Sequence, residues 1–214
     1  MPADHVFGTL LCLRRGPLPP DAAGRVAGHL AGETPSRPDP GEEKVIESLA
    51  ALRPDRLLSS DLPRAAGTAE RLAQRLDMPV ALMPELRERC FGAWEGRSWA
   101  EIVTEDERAL RFLEGFTTER PPGGETLEEL RRRVLERVMA EMRRHHRKRV
   151  CMIGHAGPIR CLVAEAMGIE ADPAQRLRLD PFGLTVIEWQ GPIAEVRVVN
   201  HPLAGGSPLE ALGG

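Results

Sequence analysis

The stretch Phe7-Gly8-Thr9-Leu10-Leu11-Cys12-Leu13-Arg14-Arg15-Gly16 decides the fold. It is an apolar run that stops abruptly at two arginines and a glycine. A run without polar alternation suits a strand buried on both faces, as in a parallel sheet. The arginines then mark where that strand opens into a loop. A second run of the same kind, Arg149 to Ile153, leads into Gly154-His155-Ala156-Gly157-Pro158, with a helix expected from Pro158 to about Met167. Between the two runs, helical periodicity covers Glu42 to Leu52. A short strand follows over Arg56 to Ser59, then a helix from Leu62 to about Leu76. Asp61 is placed to cap that helix, and Pro63 falls in its first turn, where the missing N–H costs nothing. Val80 to Met83 reads as a strand. Thr126 to His145 reads as a long amphipathic helix with Leu127, Leu130, Val134, Val138 and Met142 on one face. Leu184 to Trp189 and Ala194 to Val199 form a final strand pair. Strands alternating with helices imply a three-layer α/β/α domain around a mostly parallel sheet. That domain is expected over residues 1–202, with a cap over about 98–122, in which Glu101 to Arg120 reads as irregular and charged, and a frayed tail over 203–214.

Bulk properties narrow the function. The net charge of -3 excludes a chain built to coat nucleic acid or an acidic membrane. Tyrosine is absent, so base-stacking platforms are not expected. No stretch is long enough to span a membrane. Cys12, Cys90, Cys151 and Cys161 form no CxxC pair, so a zinc site is poorly supported; no cofactor is expected. Free buried thiols suit a reducing cytoplasm. The basic run Arg143 to Arg149 reads as a solvated helix end, and Arg131-Arg132-Arg133 as an exposed face set against Glu128, Glu129 and Glu136. The loop Glu33 to Gly41 is rich in proline.

Ligands of such sheets bind beyond the carboxyl ends of the strands. The first strand brings Arg14 and Arg15 there, the second brings Ser59-Ser60-Asp61 and Arg64, and a later one brings His155 at a strand-to-helix turn. The helix after His155 would aim its free N–H groups at the same place. Arginine forks bind two phosphate oxygens at once, so this set points to a phosphate-type anion. Glu88, after the third strand, could protonate a leaving oxygen. Trp94 and Trp99 could line the mouth of the site or pack the cap. His5 and His29 are the other histidines to consider as nucleophiles; His5 precedes the first strand, at its far end from the pocket.

In its motifs the chain resembles the histidine phosphatase superfamily, with its phosphoglycerate-mutase-like fold. Leu13-Arg14-Arg15-Gly16 with Asp21, Gly24-Arg25 and Gly28 is similar to the family's opening Arg-His-Gly segment. Ser59-Ser60-Asp61-Leu62-Pro63-Arg64-Ala65 is similar to Ser-Ser-x-x-x-Arg-Ala. Leu86-Arg87-Glu88 with Phe91-Gly92-Ala93-Trp94-Glu95-Gly96 resembles the acid-bearing segment. Pro122-Gly123-Gly124-Glu125-Thr126 and Gly154-His155-Ala156-Gly157 resemble two further family loops. The segments Gly24 to His29 and Phe91 to Gly96 look most like the broad phosphatase and α-ribazole-phosphate phosphatase branch. The resemblance implies that Arg14 and Arg64 hold phosphate, that Glu88 donates a proton and that His155 contacts the transferring group. It also aligns the family's phosphate-accepting histidine with Arg15, while Pro17 and Asp21 replace a usual Glu or Gln and a usual Asn.

A guanidinium has no free lone pair at working pH, so Arg15 cannot form a phosphoenzyme by that route. It can still bind an anion, provided Glu88, Asp21 or the ligand offsets three facing cations. Three readings follow. The chain binds a phosphorylated small molecule or inorganic phosphate as an impaired or regulatory family member. Alternatively it is a working phosphomonoesterase, using water activated by Glu88 or attack by His155. Or Arg15 is an isolated replacement in an ordinary phosphatase. A homodimer is compatible with each.

Overall fold

A computed structural model describes residues 6–30, 39–114 and 119–203. The apolar run quoted above is strand β1, Val6–Arg14. Helix α1 (Glu42–Ala51), strand β2 (Arg56–Ser60), helix α2 (Pro63–Leu76) and strand β3 (Val80–Met83) follow. Two short helices, α3 (Trp99–Glu105) and α4 (Arg108–Glu114), precede the long α5 (Leu127–Arg144). The chain continues with β4 (Lys148–Gly154), α6 (Ala156–Met167), α7 (Ala171–Ala174), β5 (Gly183–Gly191) and β6 (Ile193–Pro202).

One six-stranded sheet has the order β3-β2-β4-β1-β5-β6. The pairs β1–β4, β2–β4 and β2–β3 are parallel, and the final pair β5–β6 joins antiparallel to β1 through β5. The sheet is therefore mixed and mostly parallel, as expected. Alternation along β1 and β4 sends side chains to two cores. Leu10, Cys12, Val150 and Met152 meet α5 and α6 on one face, where all five apolar residues of the α5 stripe are buried. Leu11, Leu13, Cys151 and Ile153 meet α1 and α2 on the other. Burying each such Leu or Ile contributes about 1.5–3 kcal/mol, so the apolar runs of β1 and β4, the two central strands, anchor the sheet on both faces.

Local chemistry sets the element ends. α5 begins with a capping box, in which Thr126 accepts from the Glu129 N–H and Glu129 accepts from the Thr126 N–H. α2 begins with Leu62 at the cap position and Pro63 in its first turn. Asp61 does not cap it. Its carboxylate accepts from Arg87 instead, at 2.6 Å from Nε, because a bidentate guanidinium outcompetes a backbone N–H. The helix after His155 starts at Ala156 rather than Pro158. The cap segment is not irregular: it contains α3 and α4, whose Ile102, Ala109 and Phe112 form a small core with Trp94 and Val26. Cys12, Cys151 and Cys161 are free and buried. Of the arginine triplet only Arg132 is exposed; Arg131 pairs with Glu128 and Glu165, and Arg133 turns inward. The tail after Leu203, residues 33–38 of the proline-rich loop, and His5 lie outside the described residues. Among the described residues, no helix is long and apolar enough to cross a membrane.

Candidate functional site

The carboxyl ends of β1, β2 and β4 open onto one pocket of about 240 Å³. Arg14, Arg15 and Arg64 line it together with Glu88 and Gly157. The backbone N–H of Arg15 donates to the Gly154 carbonyl at 2.8 Å, so the parallel β1–β4 pairing fixes where this side chain departs. Arg14 donates to the Leu179 carbonyl, and Arg64 donates to the carbonyls of Gly28 and of Leu30, the latter at 2.6 Å. The Nε of each of the three arginines is buried with no acceptor. Buried donors are almost always paired, and these three orphans belong to arginines that line one pocket; Arg56 and Arg71, away from it, also leave a buried Nε without an acceptor.

Electrostatics point the same way. Burial, followed by the facing cations of Arg64 and Arg14, pushes the Arg15 guanidinium down to about 10, with Glu88 opposing. Burial also lowers Arg14 and Arg64, again with Glu88 opposing. At pH 7 a group with that value is still neutral in only about one molecule in a thousand. Arg15 is thus a cation held under repulsion and not a source of lone pairs. Asp21, the other expected counter-charge, has a side chain outside the described residues.

Glu88 is held by the chain on every side. Its carboxylate accepts the N–H of Gly157 at 3.1 and 3.3 Å and that of Arg89 at 2.9 Å. The first contact means that the start of α6 points a free N–H at Glu88 and not at open pocket. A side chain at Gly157 would overlap the Glu88 carboxylate, which explains the glycine there. The Glu88 carbonyl accepts from Arg133 Nη2 at 2.9 Å and lies 2.7 Å from His29 Nε2, the donor to that carbonyl. Arg133 further donates to the carbonyls of Glu85 and Arg87 and forms an ion pair with Glu125. His29 therefore approaches the site, but its ring is committed to a carbonyl. Arg133 was legible only as part of a charged triplet. Its spacing of three from Leu130 puts it at the edge of the apolar stripe, and that signal could have distinguished it.

His155 is 1 % exposed and feels the charges of Arg64, Arg15 and Arg14. It is not part of the pocket wall. Its Nε2 sits 2.9 Å from Ser60 Oγ, which accepts the Leu62 N–H. Its Nδ1 is buried without a partner. Burial, then Arg64, Arg15, His29 and Arg14, hold the imidazole well below its usual range, so it is neutral near pH 7. The unfolded chain then binds one more proton below about pH 6.5. Stability from this group is therefore full above that pH and is lost as the pH falls. We expect thermal stability of the apo protein to drop between about pH 6.5 and 5, and His155→Gln to flatten that drop; equal slopes in the two proteins would exclude His155 as its source.

Of the second ring of the pocket, sequence reasoning singled out Trp99 and missed the other members. Arg89, Arg160 and Gln175 line it, as do Phe91 and Trp99. Trp99 thus lines the mouth, while Trp94 is 1 % exposed, packs in the cap core and donates from Nε1 to Asp106 at 3.0 Å. No group of three metal-ligating side chains occurs among the described residues.

Known proteins resemble this chain over almost its full length. The adenosylcobalamin/α-ribazole phosphatase of Escherichia coli K12 is 27% identical over 198 residues, covering 92% of this chain and 97% of that protein. The crystal structure of the α-ribazole phosphatase from Shigella flexneri superposes with a TM-score of 0.81 at 27% identity, over 93% of this chain and 98% of that one. A mycobacterial glucosyl-3-phosphoglycerate phosphatase in complex with inorganic phosphate shares the fold, with a TM-score of 0.76 at 23% identity, over 93% and 100% of the two chains. The profile of the histidine phosphatase superfamily (branch 1) matches residues 42–202, from α1 through the end of β6, and the chain belongs to that family.

Proposed function

We propose that this protein binds a phosphorylated small molecule in the Arg14–Arg15–Arg64 pocket and that ordinary phosphohistidine catalysis is impaired in it. The carrying observation is the three buried, unpaired Nε donors of those arginines around one cavity. A phosphomonoester dianion beside them and Glu88 would leave the group near electrical balance. In this reading Arg15 occupies the place of the family's nucleophilic histidine, Glu88 is the proton donor toward the leaving oxygen, and His155 supports the transferring group from below. The binding shell is kept and the nucleophile is lost.

The similarity to α-ribazole phosphatases over nearly the whole chain favours a second reading. In it the protein hydrolyses a comparable phosphomonoester by attack of water or of His155. Attack must come in line with the leaving group, so His155 would have to reach the phosphorus from the face opposite Glu88.

Calorimetric titration with inorganic phosphate is expected to show binding below millimolar concentration in the native protein. Arg64→Leu should weaken it about 30-fold or more, as expected for removing charge-assisted hydrogen bonds worth about 2–3 kcal/mol. No heat of binding in the native protein at millimolar phosphate would sink the binding reading. Steady turnover of p-nitrophenyl phosphate by the native protein would replace it with the hydrolytic one.

A further inference from the structure

Ser60 has a use that phosphate binding by the arginines does not absorb. The parallel pairing of β2 with β4 sets Ser59 opposite Ile153, so Ser60 lies level with the turn at Gly154-His155. Ser60 is fully buried and His155 is 1 % exposed, so bulk water completes neither side chain. The hydrogen bonds between them can be counted. Ser60 Oγ accepts the Leu62 N–H at 3.2 Å and lies 2.9 Å from His155 Nε2. The Ser59 hydroxyl does not compete, because it donates to the Ser60 carbonyl at 2.9 Å. Among the described residues, His155 Nε2 is the one acceptor in reach of the Ser60 hydroxyl proton. His155 Nδ1 is buried with no partner.

The His155 ring is neutral near pH 7, so one nitrogen carries a proton and the other a lone pair. With the proton on Nε2, the ring donates to Ser60 Oγ. The Ser60 hydroxyl proton then has no acceptor, and the Nδ1 lone pair has no donor. With the proton on Nδ1, the Ser60 hydroxyl donates to Nε2 while still accepting from Leu62, and Nδ1–H alone is unmatched. The first arrangement leaves two buried polar groups unmatched and the second leaves one, which favours the second by about tenfold or more. We infer that Ser60 is a positioning residue that holds His155 in the Nδ1–H tautomer, so that its one unengaged nitrogen is a hydrogen-bond donor without a lone pair. His155 then cannot attack phosphorus, because the Nε2 pair is taken by Ser60 and Nδ1 has none to offer. Water is left as the nucleophile of the hydrolytic reading. Resting on the binding reading above, Nδ1–H is a neutral donor for the anion, and it adds no charge to a site that already holds three facing cations.

Nitrogen NMR of the chain with labelled histidine reads the tautomer directly, because protonated and unprotonated ring nitrogens resonate far apart. The His155 signal is assigned by its loss in His155→Gln. In the native chain without phosphate, Nδ1 is expected to be protonated in about nine molecules of ten or more. A dominant Nε2–H form overturns the inference, and this measurement needs no variant of Ser60. Saturating inorganic phosphate should shift the Nδ1 resonance and leave its proton in place. Bound phosphate that leaves the resonance unmoved overturns the donor role while the Ser60 lock stands. Ser60→Ala should raise the Nε2–H form to a comparable population and weaken inorganic phosphate about two- to tenfold, the size of one neutral hydrogen bond. Ser60→Thr, which keeps the hydroxyl, should restore the native tautomer. An unchanged tautomer in Ser60→Ala shows that another group fixes the ring and overturns the role of Ser60. Failure of the native protein to bind inorganic phosphate removes the binding reading instead, and the tautomer of the phosphate-free ring still decides whether Ser60 holds it.

Discussion

Arg15→His is expected to raise phosphomonoester turnover by at least about a thousandfold over the native protein, and to yield a covalent phosphoryl adduct on the peptide containing residue 15. Loss of a nucleophile alone costs catalysis several orders of magnitude, and its return should recover a large part where the remaining machinery is in place. That machinery is set by backbone. The Arg15 N–H is tied to Gly154 by the central strand pairing, so a histidine there would leave the sheet from the same point. Arg14 and Arg64 would hold its ring neutral, as they help to do for His155, and a neutral ring offers the lone pair that guanidinium lacks. Glu88 is already fixed by two N–H donors and by the clamp of Arg133 and His29 on its own carbonyl. Stopped assays of both proteins, with mass detection of the adduct, decide the matter. A native protein as active as the variant would show that no nucleophile was missing. An inert variant that still binds phosphate would show that the loss extends beyond Arg15, with Pro17 and Asp21 the first residues to restore.

The sheet and its site were legible to different depths, for physical reasons. β1, β4 and the α5 stripe were readable because burial on both faces leaves an apolar run, and burial on one face leaves a helical period. The inner arginines and Glu88 were readable because strand ends must meet at one edge of a parallel sheet. The rest depended on tertiary partners that carry no local signature. Asp61 has the composition of a cap, yet Arg87, remote in helix terms, takes its carboxylate. Arg133 sits in a triplet of identical residues, where its spacing from Leu130 is a faint hint beside the three carbonyls that meet it. Arg89 and Arg160 look like ordinary surface cations until the fold turns both toward Glu88. The cap read as irregular because its two helices are short, at seven residues each, and owe their order to the Trp94–Phe112 core more than to their own periodicity.

Arg15→Met is expected to make the phosphate-free protein more stable than the native one, by about 2 kcal/mol, or roughly 4–8 °C in melting temperature. The reason is that the native pocket stores repulsion. Arg15 is 6 % exposed and faces Arg14 and Arg64, and its folded-state value of about 10 lies below the ordinary guanidinium range. A base whose folded value is depressed binds fewer protons folded than unfolded, between about pH 10 and its usual value. Below that window it is charged in both states and its penalty is complete, so the gap between variant and native should be constant from pH 7 to 9 and narrow above pH 10. Methionine matches the length of the arginine stem and removes the charge without opening a large void. Phosphate should reverse the order. The native protein gains about 2.7 kcal/mol at a concentration one hundred times its dissociation constant, and the variant, which lacks one of three forks, gains less. A crossing of the two stabilities as phosphate is added is therefore the signature of an arginine retained for its ligand at the expense of the fold. If the variant melts below the native protein in phosphate-free buffer, the charge of Arg15 is already compensated within the chain, and the pocket does not need an anion to be complete.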